Sequence, residues 1–324
     1  MISTAKQSAN YTAKDAAPAR VELTVPGDCA GLRLDQVLAR LLPDFSRNRL
    51  SLWVRRNQVT VDGRTVLPRQ KVWGGEKISV LPEPDPQVLA FQPQDIPLDI
   101  VFEDDTLLVV NKPAGLVVHP GSGNWQGTML NALLQHAPLL RHLPRAGIVH
   151  RLDKETSGLL VVAKTLTAQT DLVRQLQARS VTREYLAVAH GRIARDGKVE
   201  KPIGRHPVKR TRMAVVTGGK PSVTHYHVVE HFAHATLLRC RLETGRTHQI
   251  RVHLDSIGHP LVGDPVYGRK PAHKPPHALY FGRQALHAEK LALVHPVSKK
   301  TLSWHAKLPE DMRDLIAILR AGSA

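Results

Sequence analysis

Three prolines alternate with acidic residues in the segment Pro82-Glu83-Pro84-Asp85-Pro86. Proline fixes a backbone dihedral angle and lacks an amide donor, so this segment stays extended and cannot enter a packed core. The chain has 324 residues, enough for two domains at a usual size of about 150 residues each. We therefore place a boundary here and predict a flexible tail (1–17), a small domain (18–81), a linker (82–95) and a large domain (96–324).

The small domain is predicted to contain two short helices and a small sheet. Apolar residues recur at helical spacing from Leu34 to Leu42, and Ser46 can cap a second helix. Asp62-Gly63 follows alternating valines, which is a strong hairpin signal, and Ile78 belongs to a closing strand. The pattern indicates a self-contained α/β unit.

The second predicted helix is unusually basic. Its arginines are not interrupted by any acidic residue, and they are Arg47, Arg49, Arg55 and Arg56. One interpretation is an ordinary solvated helix face whose arginines confer solubility; the other is a surface that contacts RNA. We favour the RNA surface because the local excess of cations is so large.

The whole chain is basic, with 45 Lys and Arg against 28 Asp and Glu, a formal charge of +17 and a pI near 10.2. Such an excess predicts a polyanionic partner, since cations on phosphates release counterions. No stretch approaches the roughly 20 apolar residues of a membrane span, and no apolar signal core precedes Ala17. The two cysteines, Cys29 and Cys240, exclude a disulfide framework and fit a reducing cytoplasm.

The large domain alternates predicted strands with fewer helices. A strand near Ile100, an acidic turn at Asp104 and a strand from Leu107 form one hairpin, and residues 223–230 pair with residues 236–242 in another. Hairpin connections outnumber crossovers. The sequence therefore predicts an α+β fold with a mixed, mainly antiparallel sheet and flanking helices.

Three local expectations complete the large domain. Thr167 is a candidate cap for a helix, and Pro309-Glu310-Asp311 opens a final helix. Between Gly245 and Leu254, apolar residues alternate with polar ones, which predicts a strand with Arg251 on the polar face.

The residues His150 to Gly158, here called the signature loop, place a carboxylate between two cations and precede an apolar run that predicts a buried strand. Arg151 and Lys154 favour the ionised form of Asp153. An ionised aspartate on a fixed loop can act as a nucleophile or a general base. The structural alternative is that Asp153 caps the turn and pairs with Arg151.

The signature loop resembles the signature of the RluA-type pseudouridine synthases. Three further segments resemble motifs of that family and occur in the same order as in the family. They cover residues 109–120, 183–187 and 244–268. Several blocks in the family's order are far more specific than one motif. The layout is closest to the RluD-like branch that acts on large-subunit ribosomal RNA, and the small domain resembles the S4 RNA-binding module.

The resemblance implies the fold, the chemistry and the site. It implies the pseudouridine synthase catalytic fold and a reaction that uses no cofactor and no metal. By position in the family's motifs, Asp153 is the catalytic aspartate, Arg251 the cation that holds it, and Tyr185 the aromatic ring on which the uracil stacks. Arg151 would fill the gap left by the flipped base.

A second basic run occurs in the large domain and has too few apolar residues to pack. We interpret it as an arm that grips RNA, with a solvated hairpin tip as the alternative. The candidate RNA-binding residues of the large domain are Arg205, Lys209, Arg210, Arg212, Arg246 and His248.

We predict RNA as the partner, and specifically 23S large-subunit ribosomal RNA at a stem-loop of the helix 69 type. No membrane and no obligate protein partner are implied. The alternatives are the same chemistry on transfer RNA, a non-catalytic RNA-binding factor in ribosome assembly, and a metal-dependent nuclease suggested by the 18 histidines. The loop at 269–277 and the chain ends are expected to set target choice.

Overall fold

A computed structural model describes residues 19–83, 90–121, 123–209, 211–268 and 281–322. Packing divides the chain into two compact units, residues 1–88 and 89–324, which we call the N-terminal and C-terminal units. The predicted tail over 1–17, the middle of the predicted linker and the loop at 269–277 lie outside the described residues.

The N-terminal unit contains the two helices and the small sheet that the sequence predicts. Its elements are β1 (Val21–Thr24), a 3-10 helix (Gly27–Cys29), α1 (Leu34–Leu41), α2 (Arg47–Arg55), β2 (Val59–Val61), β3 (Arg64–Thr65) and β4 (Lys77–Val80). The strands pair antiparallel in the order β1-β4-β2-β3. Ser46 caps α2 as expected, because its hydroxyl accepts a hydrogen bond from the Arg49 amide.

A single large sheet organises the described part of the C-terminal unit. Its strands are β5 (Ile100–Glu103), β6 (Leu107–Lys112), β7 (Ser157–Ala163), β8 (Thr182–His190), β9 (Gly197–Glu200), β12 (Val223–His231), β13 (Ala235–Leu242), β14 (Leu286–Val294) and β15 (Thr301–His305). They run in the order β5-β6-β7-β14-β8-β13-β12-β9, with β15 beside β14. Only the β7–β14 pairing is parallel among these strands, so the predicted mixed, mainly antiparallel sheet is confirmed.

A separate hairpin, the arm hairpin, carries the second basic run. It consists of β10 (Ile203–Arg205) and β11 (Met213–Val215), which pair antiparallel, and of the tip between them. Ile203 packs in a small apolar cluster with Val252 and Tyr267. The base of the hairpin is therefore anchored to residues of the 244–268 block.

Helices cover both faces of the sheet. They are α3 (Met129–His136), α4 (Leu166–Gln177), α5 (Gln249–Asp255) and α6 (Glu310–Ala321), with 3-10 helices at Pro138–His142 and Pro144–Gly147. Alternation along β8 separates the two faces, because Leu186 belongs to the apolar cluster that contains residues of α6, whereas Tyr185 belongs to the cluster that contains Ile250 of α5. No helix among the described residues combines the length and the apolar character needed to cross a bilayer.

Two of the local expectations are wrong. The cap of α4 is Thr165, whose hydroxyl accepts a hydrogen bond from the Ala168 amide, and not Thr167. Residues 249–255 form helix α5 and not a strand. The alternation was misleading because Ile250 and Leu254 also stand at the i, i+4 spacing of a helix, and α5 is buried on every side.

Gly158, the last residue of the signature loop, lies where β7 and β14 approach closely. Its φ of +113° belongs to the region that favours glycine, and a Cβ atom there would lie 2.3 Å from the Ala288 carbonyl oxygen. The parallel pairing of β7 with β14, opposite Ala288, therefore requires glycine.

Candidate active site

The signature loop is fixed to the C-terminal unit on both sides of Asp153. Within the loop, the Thr156 amide donates to the Asp153 carbonyl at 3.0 Å. Arg283 donates to the Glu155 carbonyl at 3.0 Å, and the buried Lys112 ammonium donates to the Lys154 carbonyl at 2.9 Å. These contacts hold the backbone on either side of the carboxylate that the sequence singles out.

Arg251 lies between two aspartates. Its Nη1 donates to Asp153 Oδ2 at 3.0 Å, and its Nε and Nη2 donate to the two oxygens of Asp264 at 2.7 and 2.9 Å. The side chains of Asp153, Arg251 and Asp264 are 15%, 5% and 0% exposed. We call these three residues the Asp–Arg–Asp cluster; Asp153 is its most exposed member.

The inner pair of the cluster stays ionised. Burial opposes the charge of Arg251, but the carboxylates of Asp264 and Asp153 outweigh burial and raise the pKa of the guanidinium. Burial also disfavours the Asp264 carboxylate, but hydrogen bonds from Arg251 and from two backbone amides lower its pKa overall. The cluster thus has one positive and two negative charges, and the unbalanced negative charge lies on Asp153, its most exposed member.

Tyr185 lies on β8 and faces the same side of the sheet as α5. It is buried, and burial raises the pKa of its phenol; Arg183 acts against that shift and Asp153 adds to it. With its pKa raised by burial, Tyr185 stays neutral at pH 7.

His248 approaches Asp153 from the residue before α5. Its φ of +57° is left-handed, which is uncommon outside glycine and marks local backbone strain. The ring Nδ1 lies 2.7 Å from the Tyr267 hydroxyl, and Nε2 lies 3.8 Å from Asp153 Oδ1. Because Tyr267 also accepts a hydrogen bond from the Met213 amide, it links the arm hairpin to the site.

Arg151 does not pair with Asp153. Its side chain is exposed, and the described part of the chain offers it no hydrogen bond or ion pair. The structural alternative, in which Asp153 pairs with Arg151, is therefore wrong, since the cation that contacts Asp153 is Arg251. The Arg151 side chain is left available for a ligand.

The four arginines of the α2 region differ in their contacts. Arg47 binds the buried carboxylate of Asp35, and Arg56 binds Glu83. The Arg49 guanidinium lies 5.2 Å from the centre of the Trp53 ring and donates to the Glu83 carbonyl. Arg55 is exposed, with no partner found in the described residues.

The predicted RNA-binding cations of the large domain also differ in their exposure and contacts. Arg212 lies at the end of the arm hairpin tip, with its guanidinium 5.5 Å from the centre of the Tyr267 ring. Arg205 and Lys209 belong to the same exposed hairpin, and Arg246 is exposed two residues before His248. Arg210 lies outside the described residues.

Sequence reasoning missed Asp264 and Lys112 as parts of the site. Asp264 lies in the 244–268 block, which the resemblance covers. The only signal for it in the sequence was an acidic residue in a block rich in arginine and histidine. Lys112 directly precedes Pro113 in another of these blocks, and its Nζ donates to the carbonyls of Pro113, Leu116 and Lys154. Burial lowers the pKa of Lys112 to about 7.

The histidines do not assemble a metal centre within the described ranges, where no group of three or more His, Cys, Asp or Glu side chains could hold an ion. His253, for example, lies between the Thr224 hydroxyl and the Lys201 carbonyl. His287 contacts the Ser157 hydroxyl in the same way. These histidines have structural partners.

Both units match known families. Residues 106–256 match the family described as RNA pseudouridylate synthase, and residues 32–78 match the S4 domain. The synthase match contains the whole signature loop, including Arg151, Lys154 and Glu155. It ends at residue 256, directly after α5.

Curated relatives are similar over nearly the whole chain. Ribosomal large subunit pseudouridine synthase D of Nitrosomonas europaea is 57% identical over 321 residues, which cover 96% of this chain and 93% of the relative. The protein of the same name from Escherichia coli strain K12 is 54% identical over 314 residues, which cover 93% of this chain and 95% of the relative.

Two solved structures are similar to about two thirds of this chain. Human RNA Pseudouridylate Synthase Domain Containing 4 matches with a TM-score of 0.56 and 27% identity, covering 68% of this chain and 92% of that chain. Human RNA Pseudouridylate Synthase Domain Containing 1 matches with a TM-score of 0.53 and 27% identity, covering 70% and 96%. The chain therefore belongs to the RNA pseudouridylate synthase family and carries an S4 domain in its N-terminal unit.

Proposed function

We propose that this protein converts uridine to pseudouridine in 23S large-subunit ribosomal RNA, within a stem-loop of the helix 69 type, and that Asp153 is its catalytic residue. The names of relatives at 57% and 54% identity support the ribosomal substrate. The unstacked bases of an RNA loop cost less to extrude than those of a helix, which supports a stem-loop target.

One observation carries the catalytic part of the proposal. Asp153 is the most exposed carboxylate of the Asp–Arg–Asp cluster, and Arg251 orients it through a hydrogen bond of 3.0 Å. Asp264 fixes the other edge of the same guanidinium. A carboxylate held in this way meets a substrate in one orientation and needs little rearrangement during the reaction.

The reaction conserves atoms and oxidation state. The bond between ribose C1′ and uracil N1 breaks, the uracil turns, and C1′ bonds to C5; the C5 proton then leaves and N1 gains a proton. Asp153 acts at the sugar, either by attack on C1′ or by proton removal beside it. Tyr185 offers the aromatic face against which the detached uracil is held.

The base must leave the RNA stack before Asp153 can reach its sugar. Arg151 is exposed next to Asp153 and has no partner in the described part of the chain. We assign it the space that the flipped uridine vacates. This role requires an arginine side chain that is exposed and not paired with Asp153, as is observed for Arg151.

The cations of both units bind the RNA backbone in this proposal. In the C-terminal unit, the arm hairpin reaches the site through Met213 and Tyr267. Phosphate contacts there would hold the stem while the loop enters the site. The corresponding residues are Arg205, Lys209, Arg210, Arg212, Arg246 and His248, with Arg47, Arg49, Arg55 and Arg56 in the S4 domain. Ribosomal RNA as a substrate is also consistent with a cytoplasmic location.

The proposal is tested by mapping the product. The purified protein is incubated with unmodified transcripts of large-subunit ribosomal RNA and of transfer RNA, and pseudouridines are located by carbodiimide modification and primer extension. We expect modification in a stem-loop of the large-subunit transcript. The same positions should lose pseudouridine in total RNA of a strain in which the gene is deleted.

Two outcomes would contradict the proposal in different ways. Modification of transfer RNA alone would refute the ribosomal substrate and leave the chemistry intact. Tight binding to the large-subunit transcript without any pseudouridine would refute the chemistry and favour an assembly factor.

A further inference from the structure

Three arginines of the described residues are more than nine-tenths buried, namely Arg183, Arg251 and Arg283. Two of them bind an aspartate through two nitrogens each: Arg251 binds Asp264, and Arg283 binds Asp311 at 2.7 and 2.9 Å. Arg183, on β8, is 7% exposed and differs from both.

The Arg183 side chain has no ion pair and no hydrogen bond to any residue that the structure describes, and its Nε is fully buried without a partner. A buried guanidinium without a counter-charge costs several kilocalories per mole in a protein interior. Such a charge is expected only where a ligand supplies the missing anion or where the chain gains something other than stability.

The surroundings of Arg183 place it beside the candidate active site. It stands two residues before Tyr185 on the same face of β8, and its charge acts on the Tyr185 phenol together with that of Asp153. Its Nη1 lies where a side chain on Gly245 would be, since a Cβ atom at Gly245 would come within 2.7 Å of it. Gly245 is exposed, so the end of the guanidinium reaches the protein surface there.

At Gly245, the Arg183 side chain is the neighbour that an added Cβ atom would meet. Gly245 does not have a positive φ, so its backbone conformation does not demand glycine. A Cβ atom at Gly245 would require the end of the Arg183 side chain to shift. Arg183 is thus a cation enclosed on most sides, with the end of its side chain next to the exposed Gly245.

We infer that Arg183 binds an oxyanion of the target nucleotide. This inference rests on the proposed function. The substrate offers two sources of the same chemistry: the phosphate next to the flipped uridine, and the uracil oxygens, which become negative when N1 leaves with the bonding electrons. Either anion would form charge-assisted hydrogen bonds with a guanidinium that has no other partner among the described residues.

The test replaces Arg183 by methionine, which has a similar length and no charge, and compares it with two matched variants. Arg313→Met removes an exposed cation from α6, which packs on the opposite face of the sheet, and controls for net charge. Arg283→Met removes a buried arginine that is paired, and controls for structural importance. Melting temperature, RNA affinity at several salt concentrations and the single-turnover rate are measured for each.

We expect the melting temperature of Arg183→Met to equal or exceed that of the wild type, whereas Arg283→Met should melt lower because it breaks a paired contact. Function should fall about tenfold to hundredfold, the usual range for a hydrogen bond to a charged group. If the anion is a phosphate, affinity falls and the salt slope decreases by about 0.7. If the anion is the uracil, the single-turnover rate falls at unchanged affinity.

Two results would overturn the inference. One is a melting temperature for Arg183→Met as low as that of Arg283→Met, since the arginine would then be structural. The other is an affinity and a rate that both match Arg313→Met. If the wild type itself made no pseudouridine, the proposed function would fail, whereas the melting and salt-slope measurements would still report on Arg183.

Discussion

Each unit contains a buried charge cluster, and the two clusters use arginine and aspartate in opposite proportions. In the S4 domain, Arg33 and Arg47 both bind the carboxylate of Asp35. In the C-terminal unit, Asp153 and Asp264 both bind Arg251. The first cluster has a surplus positive charge on partly exposed arginines, and the second has a surplus negative charge on Asp153.

The comparison shows what each surplus can do. Exposed cations next to a satisfied carboxylate remain available to phosphates, which suits binding along an RNA backbone. An exposed carboxylate next to a satisfied guanidinium remains available to an electrophilic carbon or to a proton. In our proposal, the same ion-pair chemistry supports binding in one unit and reaction in the other.

The largest effect is expected from Arg251→Met. This change leaves the Asp264 carboxylate, which is fully buried, without its counter-ion and should cost about 3–5 kcal/mol of folding free energy. Asp153 also loses its orienting hydrogen bond, so pseudouridine formation should be lost. Urea unfolding and a single-turnover assay measure the two effects, and an unchanged unfolding midpoint would refute the central position of Arg251.

Lys112→Met should slow the reaction as well as destabilise the fold. Its ammonium joins the carbonyl of Lys154 to those of Pro113 and Leu116, and methionine leaves all three without this donor. Small displacements of a catalytic group lower rates by up to about a hundredfold, so we expect a loss of about tenfold in the single-turnover rate at unchanged RNA affinity.

Lys164→Met is the matched control for Lys112→Met. Lys164 also donates to a backbone carbonyl, that of Asp104, but at the opposite end of β7. If the two variants had the same rate, Lys112 would have no special connection to the signature loop.

Acid should weaken the inner pair of the Asp–Arg–Asp cluster. Because the pKa of Asp264 is lower in the folded state than its ordinary value of 3.8, the carboxylate stabilises the fold above that value. This stabilisation is lost as the pH falls below 3.8 and through the lowered pKa. The difference in unfolding free energy between wild type and Asp264→Asn should therefore be constant from pH 7 to about 5 and shrink in stronger acid. A difference that grew on acidification would contradict this sign.

The smallest effect is expected from Asp35→Asn in the S4 domain. Arg33 and Arg47 are partly exposed and can turn to water when the carboxylate is neutralised, so the loss should be only about 1 kcal/mol. RNA affinity should stay equal or rise, because the arginines are released. A stability loss as large as that of Arg251→Met would erase the difference between the two clusters.

The sequence predicted those features that depend on local chemistry. Ser46, the Asp62-Gly63 turn and the apolar run after Gly158 each have a short-range physical reason, and the structure confirms the elements that they predict. The candidate pair Asp153 and Arg251, which came from the resemblance, is in hydrogen-bond contact.

Features that depend on packing at a distance could not be predicted. Helix α5 was taken for a strand because Ile250 and Leu254 satisfy both periods over so short a stretch. Asp264 and Lys112 were missed because only the folded chain brings them to Arg251 and to the signature loop. The sequence also gives no sign that the buried Nε of Arg183 lacks a hydrogen-bond partner, because this depends on which side chains the fold places around it.

The most direct test of the account is the single-turnover rate of Asp153→Asn on a large-subunit transcript to which it is fully bound. Asparagine keeps the shape of the side chain, and Arg251 keeps its two hydrogen bonds to Asp264, so the fold and the RNA affinity should match the wild type. The account predicts that no pseudouridine forms. Formation of pseudouridine at a rate comparable to that of the wild type would show that the carboxylate of Asp153 is not the group that acts on the sugar.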